Sequence, residues 1–354
     1  MKTGISVYFG SPEQENAKLI ERAAAAKVSF AFTSLQIPEE RGTDYARTAR
    51  RLLSMLSDAG IQLIADVGPD TCEKLGVSKT EDLAGLGFRY IRLDYGFSAR
   101  ETVRLSDTFH IVFNASTVKR EEIAAWRHEG ADFSRFAACH NFYPKRYTGL
   151  SLNSVREINH RLTGLGFETM SFVPGDDASK HRAPLREGLP TVEDQRGRFD
   201  DLSLNMLELH TGAGSDVVLV GDPGLSEKGW RSMEQLSSGY VDVRCRLDER
   251  YDYLYGQVHH DRPDSSDYIF RSQESRTSLR PGAIMADAGA GKPRSLGDIA
   301  VSNAAYGRYE GELEIARRDI PGDARMNVVG SVVERDLRLL PYLRLGFGLK
   351  ICRE

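Results

Sequence analysis

The stretch HIVFNASTVKREEIAAWRHEGADFSRFAACHNFY, residues 110–143, contains two strand-like runs with a helical segment between them. The runs at 110–116 and 136–143 are short, apolar or alternating, and rich in β-branched and aromatic residues, which suit strands. The intervening segment has apolar residues at helical spacing and ends in Gly130, a residue type that readily adopts the left-handed conformation of a helix end. This order predicts a βαβ unit with parallel strands.

The same alternation repeats through the first two-thirds of the chain. Strand candidates lie at 4–10, 30–38, 61–67, 90–96, 110–116, 136–143, 168–175 and 216–223. Helical spacing occurs between them, as in ENAKLIERAAAAK, TARRLLSMLSDAG and SVREINHRLTGLG. Eight such repeats over about 235 residues predict an α/β fold, the (β/α)8 TIM barrel. A doubly wound open sheet is the alternative, although such sheets usually have fewer strands and do not close.

The pattern changes after about residue 238. Short, often alternating runs separated by turns follow, namely YVDVRCRL, YDYLYGQVHH, DYIFRS, DIAVSN, GELEIAR and NVVGSVV. The segment AGAGKPRSLGD, at 288–298, has the Gly and Pro content of a flexible loop. We therefore expect a barrel domain over 1–238 and a small β-rich domain over 239–354.

Composition excludes several classes of protein. The 47 basic and 51 acidic residues give a net charge of −4, which provides no general attraction for nucleic acid. No apolar run is long enough to span a membrane, and MKTGISVYFG lacks the apolar segment of a signal peptide. The four cysteines are widely separated, without metal-ligand spacing, and are expected to be reduced. These features predict a cytoplasmic protein with no membrane or nucleic-acid partner, and they leave the oligomeric state open.

Functional residues of TIM barrels follow the carboxyl ends of the strands. Glu39 or Glu40 after the second strand and Asp94 at the fourth are therefore the catalytic candidates. Asp94 interrupts an apolar strand, where a charge requires a partner or a function. Candidates for substrate binding at other strand ends are Asp66, Tyr95, Asn114, His140 and Asn141.

Two further acidic residues and the possibility of a metal need separate interpretations. Asp177 and Asp222 also follow strands, but an acid at that position more often accepts a backbone N–H as a helix cap or in a turn. His140 has no second His or Cys on a neighbouring strand end, so no metal or other cofactor is predicted. Several carboxylates at one mouth suit glycoside hydrolysis, in which one protonates the leaving oxygen and another attacks, stabilises or activates water.

The strand-end motifs resemble those of a known family. FTSLQIPEE, IRLDYG, FNAST, CHNFYP, TGLS and EGLPTVE are similar to motifs of the bacterial 6-phospho-N-acetylmuramidases, many formerly described as outer surface protein homologues. RPDSSDYIFRSQESR and YGRYEGELEI extend the similarity to the second domain. The sequence departs from the family pattern at Gln36, where the family has His, and at Lys145, where it has Arg.

The resemblance implies a TIM barrel followed by a cyclophilin-like β domain. It also implies intracellular hydrolysis of N-acetylmuramic acid 6-phosphate–N-acetylglucosamine, a phosphorylated amino-sugar disaccharide, during peptidoglycan recycling. Such a substrate requires an anion site, and arginine binds phosphate bidentately. Candidates for this role are Lys145, Arg146, Arg182, Arg271 and Arg308.

Other functions remain open on the sequence. A barrel lyase or isomerase acting on another phosphosugar would use similar acid–base carboxylates, with Mg²⁺ as an optional ligand. A non-enzymatic sugar-binding protein is a further alternative, and prolyl isomerisation by the second domain is the least favoured one.

Overall fold

Residues 1–36, 45–93, 96–277 and 282–354 are described by the computed structural model. Their internal contacts divide the chain into two units, Met1–Ser237 and Ser238–Glu354.

Eight parallel strands of the first unit form a closed barrel, in which each strand pairs with the next and β1 pairs with β8. They are β1 (Lys2–Ser6), β2 (Phe30–Ser34), β3 (Gln62–Val67), β4 (Tyr90–Leu93), β5 (His110–Asn114), β6 (Phe136–Cys139), β7 (Glu168–Val173) and β8 (Val217–Val220). The predicted TIM-barrel fold is confirmed, and the pairing of β1 with β8 excludes an open sheet.

Helices connect the strands of the barrel. They are α1 (Glu13–Ala25), α2 (Tyr45–Asp58), α3 (Thr71–Leu75), α4 (Leu83–Leu86), α5 (Ala99–Ser106), α6 (Arg120–His128), α7 (Leu152–Thr163), α8 (Leu202–Leu207) and α9 (Glu227–Ser237). Short 3-10 turns lie at Thr80–Asp82, Phe133–Arg135, Ala178–Lys180 and Glu193–Arg198, and a π-helical turn at Glu208–Gly212 extends α8. Local sequence determines where several helices begin: the Ser98 hydroxyl accepts the Glu101 N–H at the start of α5, and the Glu101 carboxylate accepts the Ser98 N–H in return.

Side chains two residues apart on the barrel strands point inward and form one core. Its members are Phe30, Phe32, Ile64, Val112, Ala137, Cys139, Met170, Phe172, Val217 and Leu219. All of them are buried, so the barrel interior is packed and the open space lies above it, at the carboxyl ends of the strands.

The second unit contains a seven-stranded sheet of order β10-β15-β9-β14-β12-β13-β11. Its strands are β9 (Tyr240–Leu247), β10 (Val258–His260), β11 (Ile269–Arg271), β12 (Asp298–Ser302), β13 (Leu313–Ala316), β14 (Met326–Val332) and β15 (Gly348–Arg353). Adjacent strands are antiparallel except β15 and β9, which are parallel. 3-10 helices lie at Glu249–Leu254, Ala304–Tyr309 and Glu334–Tyr342.

The β-rich second part of the chain is thus confirmed, with two differences from the sequence-based expectation. The run YDYLYGQVHH is a 3-10 helix over its first part and a strand only at Val258–His260, and β15 was not predicted. All four cysteines are free thiols. Among the described residues, no helix has both the length and the apolar composition to cross a membrane.

Candidate active site at the barrel mouth

A pocket of about 460 Å³ lies at the carboxyl ends of the barrel strands. Such a volume is within the range of small-molecule sites. Its polar floor is formed by Asp66 on β3, Arg92 on β4 and Asn141 just after β6. The loop segment 182–185, between β7 and α8, lies along one side.

Asp66 and Arg92 form a buried ion pair on the floor. Arg92 Nη1 lies 2.9 Å from Asp66 Oδ1, and the two side chains are only 4% and 12% exposed. The second carboxylate oxygen of Asp66 accepts a hydrogen bond of 3.1 Å from the Ser34 hydroxyl at the end of β2. Because three consecutive strands contribute to this contact, the carboxylate has a fixed orientation beside the pocket.

The side chain of Asn141 is oriented by two donors. Its Oδ1 accepts from Arg92 Nη2 at 2.5 Å and from Asn114 Nδ2 at 3.1 Å. Since the oxygen is occupied by these donors, the amide Nδ2 must point the other way, and Asn141 lines the pocket. The site therefore presents an oriented N–H donor beside the Asp66 carboxylate.

His140 is buried, also lines the pocket, and connects it to α7. Its Nε2 lies 2.9 Å from Asn159 Oδ1, and its Nδ1 lies 3.1 Å from the Ser116 hydroxyl. That hydroxyl in turn accepts the backbone N–H of Asn141 at 3.1 Å. The Asn159 amide donates to Ala213 and Ser215, so its oxygen faces the histidine, which therefore donates from Nε2 and accepts at Nδ1.

Burial lowers the pKa of His140 to about 4, with a smaller contribution from the Arg92 charge. The imidazole is therefore neutral at physiological pH. With both ring nitrogens bonded to protein atoms and no exposed surface, His140 has the geometry of a residue that positions Asn141.

Gln36, two residues after β2, also lines the pocket. Its buried Nε2 has no hydrogen-bond partner among the residues that the structure describes. A buried amide without a partner costs free energy, which a bound polar ligand would recover. Gln36 is one of the two positions at which the sequence departs from the family pattern described above.

Three phenylalanines form the apolar wall of the pocket. The rings of Phe32, Phe142 and Phe172 pack edge to face, with centroids 5.1–6.0 Å apart. An apolar wall opposite fixed polar groups suits a pyranose ring, which has C–H groups on its faces and hydroxyl groups around its edge.

The structure separates the predicted cations of the first unit. Arg182 lines the pocket, and its guanidinium carbon lies 3.6 Å from the centroid of the buried Tyr8 ring. Lys145 is exposed and is not part of the pocket lining. Arg146 is also exposed and pairs with Glu187. Of these three candidates, Arg182 is therefore the one that lines the pocket.

The other two predicted cations lie in the second unit. Arg271 forms an ion pair of 2.7 Å with the buried Glu312. Arg308 is exposed, and its Nη2 donates to the Tyr309 hydroxyl at 2.9 Å. Both guanidinium groups lie over the ring of Tyr309.

The predicted catalytic carboxylates Glu39, Glu40 and Asp94, together with Tyr95, lie outside the described residues. Asp222 is buried, and its carboxylate accepts the backbone N–H groups of Gly175, Arg182 and Leu189, in agreement with its interpretation as a turn residue. Within the described ranges, no group of three or more His, Cys, Asp or Glu side chains has an arrangement suited to a metal ion.

Arg92 is a charged site residue that the sequence interpretation missed. It lies in the same motif, IRLDYG, as Asp94 and is only two residues away. A guanidinium within an apolar strand needs a buried anionic partner. This rule identifies Arg92 as readily as it identifies Asp94.

Comparison with known proteins agrees with this architecture. Residues 3–235 match the family "6-phospho-N-acetylmuramidase, N-terminal", and residues 241–351 match "6-phospho-N-acetylmuramidase, C-terminal". A conserved Enterococcus faecalis protein of unknown function is 28% identical over 100% of this chain and 97% of its own, with a TM-score of 0.72. An uncharacterised B. cereus protein, 24% identical over 99% of both chains, has the same fold with a TM-score of 0.72. No curated protein matches the chain. Because the two family matches together span almost the whole sequence, the chain belongs to the 6-phospho-N-acetylmuramidase family.

Proposed function

We propose that this protein is a cytoplasmic glycoside hydrolase that cleaves N-acetylmuramic acid 6-phosphate–N-acetylglucosamine in peptidoglycan recycling. The observation that carries the proposal is the family match over both units, from residue 3 to residue 351. The mouth pocket supports it, because an oriented carboxylate, an oriented amide donor and an apolar wall suit an amino sugar.

The proposed chemistry uses two carboxyl groups at the glycosidic bond. Asp94 and either Glu39 or Glu40 are the proposed acid and nucleophile. An equally compatible route uses the acetamido oxygen of the substrate as the internal nucleophile and a carboxylate to orient it. In both routes Asp66 and Asn141 bind hydroxyl or acetamido groups, while Asn114 and His140 fix Asn141.

Substitution of Asp94 tests its assigned role. Asp94→Asn keeps the size of the side chain but removes its ability to give or take a proton. We expect kcat to fall by several orders of magnitude while the thermal unfolding midpoint stays close to that of the wild type. Near-normal turnover of the variant would remove Asp94 from the mechanism.

The function itself is tested with the phosphorylated disaccharide and its unphosphorylated form, with products identified by mass spectrometry. Hydrolysis releases N-acetylglucosamine and N-acetylmuramic acid 6-phosphate, and we expect the unphosphorylated disaccharide to react far more slowly. A lyase would instead give an unsaturated sugar whose mass is lower than that of the corresponding hydrolysis product by one water molecule. Absence of any product, together with measurable binding of the sugar, would indicate a sugar-binding protein.

The role of a metal is tested in the same assay. Release of N-acetylglucosamine that is insensitive to EDTA supports acid–base hydrolysis by side chains alone. Activity that is lost with EDTA and restored by Mg²⁺ would favour the phosphosugar lyase or isomerase.

A further inference from the structure

Three guanidinium groups surround one aromatic ring in the second unit. The guanidinium carbons of Arg308, Arg276 and Arg271 lie 4.9, 5.5 and 5.8 Å from the centroid of the Tyr309 ring. Together with Glu312 we call these residues the Tyr309 cluster. A cation over an aromatic face is stabilised electrostatically, but three like charges around one ring repel one another unless anions lie between them.

Among the described residues, the Glu312 carboxylate forms ion pairs with two arginines of the cluster. Glu312 is only 4% exposed; one of its oxygens lies 2.7 Å from Arg271 Nε and the other 3.3 Å from Arg276 Nε. The nearby Asp264 is paired with Arg262 at 2.8 Å. Glu312 is therefore the carboxylate that orients the two half-buried arginines, and it fixes the position of their remaining N–H groups.

Arg308 lies beside Tyr309 in the 3-10 helix Ala304–Tyr309, between β12 and β13. Its Nη2 donates to the Tyr309 hydroxyl at 2.9 Å, and no ion pair of Arg308 with a carboxylate occurs in the described part of the chain. Because the Tyr309 oxygen accepts from Arg308, its own O–H is available as a donor. The cluster thus presents N–H and O–H donors to a ligand, and within the described residues the Arg308 charge is not neutralised by an ion pair.

We propose that the Tyr309 cluster is an anion site of the second unit that binds a phosphate monoester. Three guanidinium groups and one carboxylate leave two positive charges, which match the charge of about −1.5 to −2 of a phosphate monoester at neutral pH. Planar guanidinium groups also bond phosphate oxygens bidentately. A carboxylate ligand would neutralise only one of the two charges.

A sugar phosphate and inorganic phosphate both carry the phosphate group that the cluster would bind. Its assignment to a sugar 6-phosphate rests on the proposed function, whereas the binding of phosphate by the cluster does not. Binding is therefore measured by titration calorimetry of the full chain with N-acetylglucosamine 6-phosphate, inorganic phosphate and sulfate. Tighter binding of the sugar phosphate than of inorganic phosphate indicates a sugar ligand, and the reverse order indicates the free ion.

Two variants remove one donor each. Arg308→Ala should raise Kd for the phosphate ligands about tenfold, because it deletes a charge-assisted hydrogen bond. Tyr309→Phe, which keeps the ring but loses the hydroxyl, should raise Kd by a smaller factor. Arg308 is exposed, so its removal should leave the thermal unfolding midpoint of the ligand-free protein unchanged.

The matched control is Arg318→Ala. Arg318 is also an exposed arginine over a tyrosine, 4.8 Å from the centroid of Tyr268, but it lies outside the cluster. The Arg318→Ala variant should bind phosphate with the same Kd as the wild type. The proposal is overturned if the wild type binds no phosphate ligand, if Arg308→Ala binds like the wild type, or if Arg318→Ala weakens binding equally.

The barrel mouth provides the remaining comparison. If Arg182→Ala abolishes phosphate binding while Arg308→Ala has no effect, the anion binds at the mouth and the Tyr309 cluster is not its site. The result is independent of catalysis: a protein that binds phosphate through Arg308 but does not cleave the disaccharide would contradict the proposed function alone.

Discussion

Asn141 is the residue whose orientation can be argued most completely from its neighbours. Asn141→Asp preserves an oxygen that accepts from Arg92 and Asn114 but replaces the Nδ2 donor with a second oxygen. We expect kcat to fall by about 10²–10³, the loss seen when one oriented donor to a transition state is removed. Steady-state kinetics measure the effect.

The control for this change is Asn153→Asp on the exposed face of α7, which introduces the same charge away from the pocket. It should leave kcat unchanged. If Asn141→Asp retains wild-type turnover, the oriented amide makes no contact with the transition state.

The buried pair of Asp66 and Arg92 leads to a prediction about stability. Arg92→Met removes the guanidinium group that pairs with the Asp66 carboxylate, whose side chain is only 12% exposed. We expect the free energy of unfolding to fall by about 3–5 kcal/mol, measured by urea denaturation. Arg246→Met removes one partner of the ion pair between Arg246 and Glu354 at the surface, and it should cause a much smaller loss of stability.

The double variant separates loss of the pair from loss of packing. Asp66→Asn together with Arg92→Met removes both charges and should recover part of the stability lost in Arg92→Met. No recovery would mean that the cost comes from the volume and packing of the arginine stem.

The sequence identified part of this site because of a topological rule. Asp66 and Asn114 lie at the carboxyl ends of β3 and β5, and Asn141 lies just after β6. Parallel strands bring these ends to one face, where Asn114 contacts Asn141. The rule does not reveal which side chains point toward the pocket and which pair elsewhere. Arg146 illustrates this limit, because only the fold brings Glu187 beside it.

At the scale of elements, the turn YGRY between β12 and β13 depends on one glycine. Gly307 has φ 58° and ψ −120°, which side-chain-bearing residues rarely adopt. Gly307→Ala should cost about 1–3 kcal/mol of stability, measured by urea denaturation, because the backbone is strained or the turn rearranges. Since the turn carries Arg308 and Tyr309, phosphate binding to the full chain should weaken in the same variant.

Gly85→Ala in α4 is the matched control. An added Cβ at Gly85 meets no atom within 4 Å, and its helical backbone suits alanine. Stability should therefore stay constant or rise slightly. An equal loss in both variants would argue against a special role for the Gly307 conformation.

The order of the barrel strands was predictable, whereas their ends were not. Each predicted run contains its observed strand or overlaps it, yet most extend too far, as 136–143 does beyond Phe136–Cys139. The chain remains hydrogen-bonded past that strand, since the His140 N–H donates to Met170 and the Tyr143 N–H to Pro190. Residue type alone does not distinguish a strand from the extended segment that follows it.

The missed strand β15 shows the complementary limit. Leu349 and Ile351 are buried while Lys350 and Cys352 are partly exposed, so the alternation is present in the sequence. Its partner β9 lies about a hundred residues earlier in the chain. Such pairing is stabilised by tertiary contacts that a local pattern does not contain.

For the whole molecule, two buried histidines predict sensitivity to acid. Burial lowers the pKa of His140 and of His259 from the ordinary 6.5 to about 4. The unfolded chain takes up these protons near pH 6.5, whereas the folded protein does not until about pH 4. Stability conferred by the neutral rings is therefore present above pH 6.5 and decreases as the pH falls.

Between pH 7.5 and 5, each of the two histidines should lower the free energy of unfolding by about 2 kcal/mol. Urea denaturation at the two pH values measures the total change, to which the lowered pKa values of His110 and His210 also contribute. His140→Gln should reduce the pH dependence, while His128→Gln, at an exposed position, should not. A pH dependence that is unchanged in His140→Gln would contradict the assignment.

The position of β15 has a consequence for synthesis of the chain. All eight barrel strands have been made once Val220 is added, so the barrel can close while translation continues. The second sheet has to wait, because β15 lies between β9 and β10 although it is translated after both. Until Gly348–Arg353 leave the ribosome, β9 has an open edge that a neighbouring nascent chain can pair with. A stop codon just before Gly348 would therefore separate β10 from its sheet, because β15 is the strand with which β10 pairs.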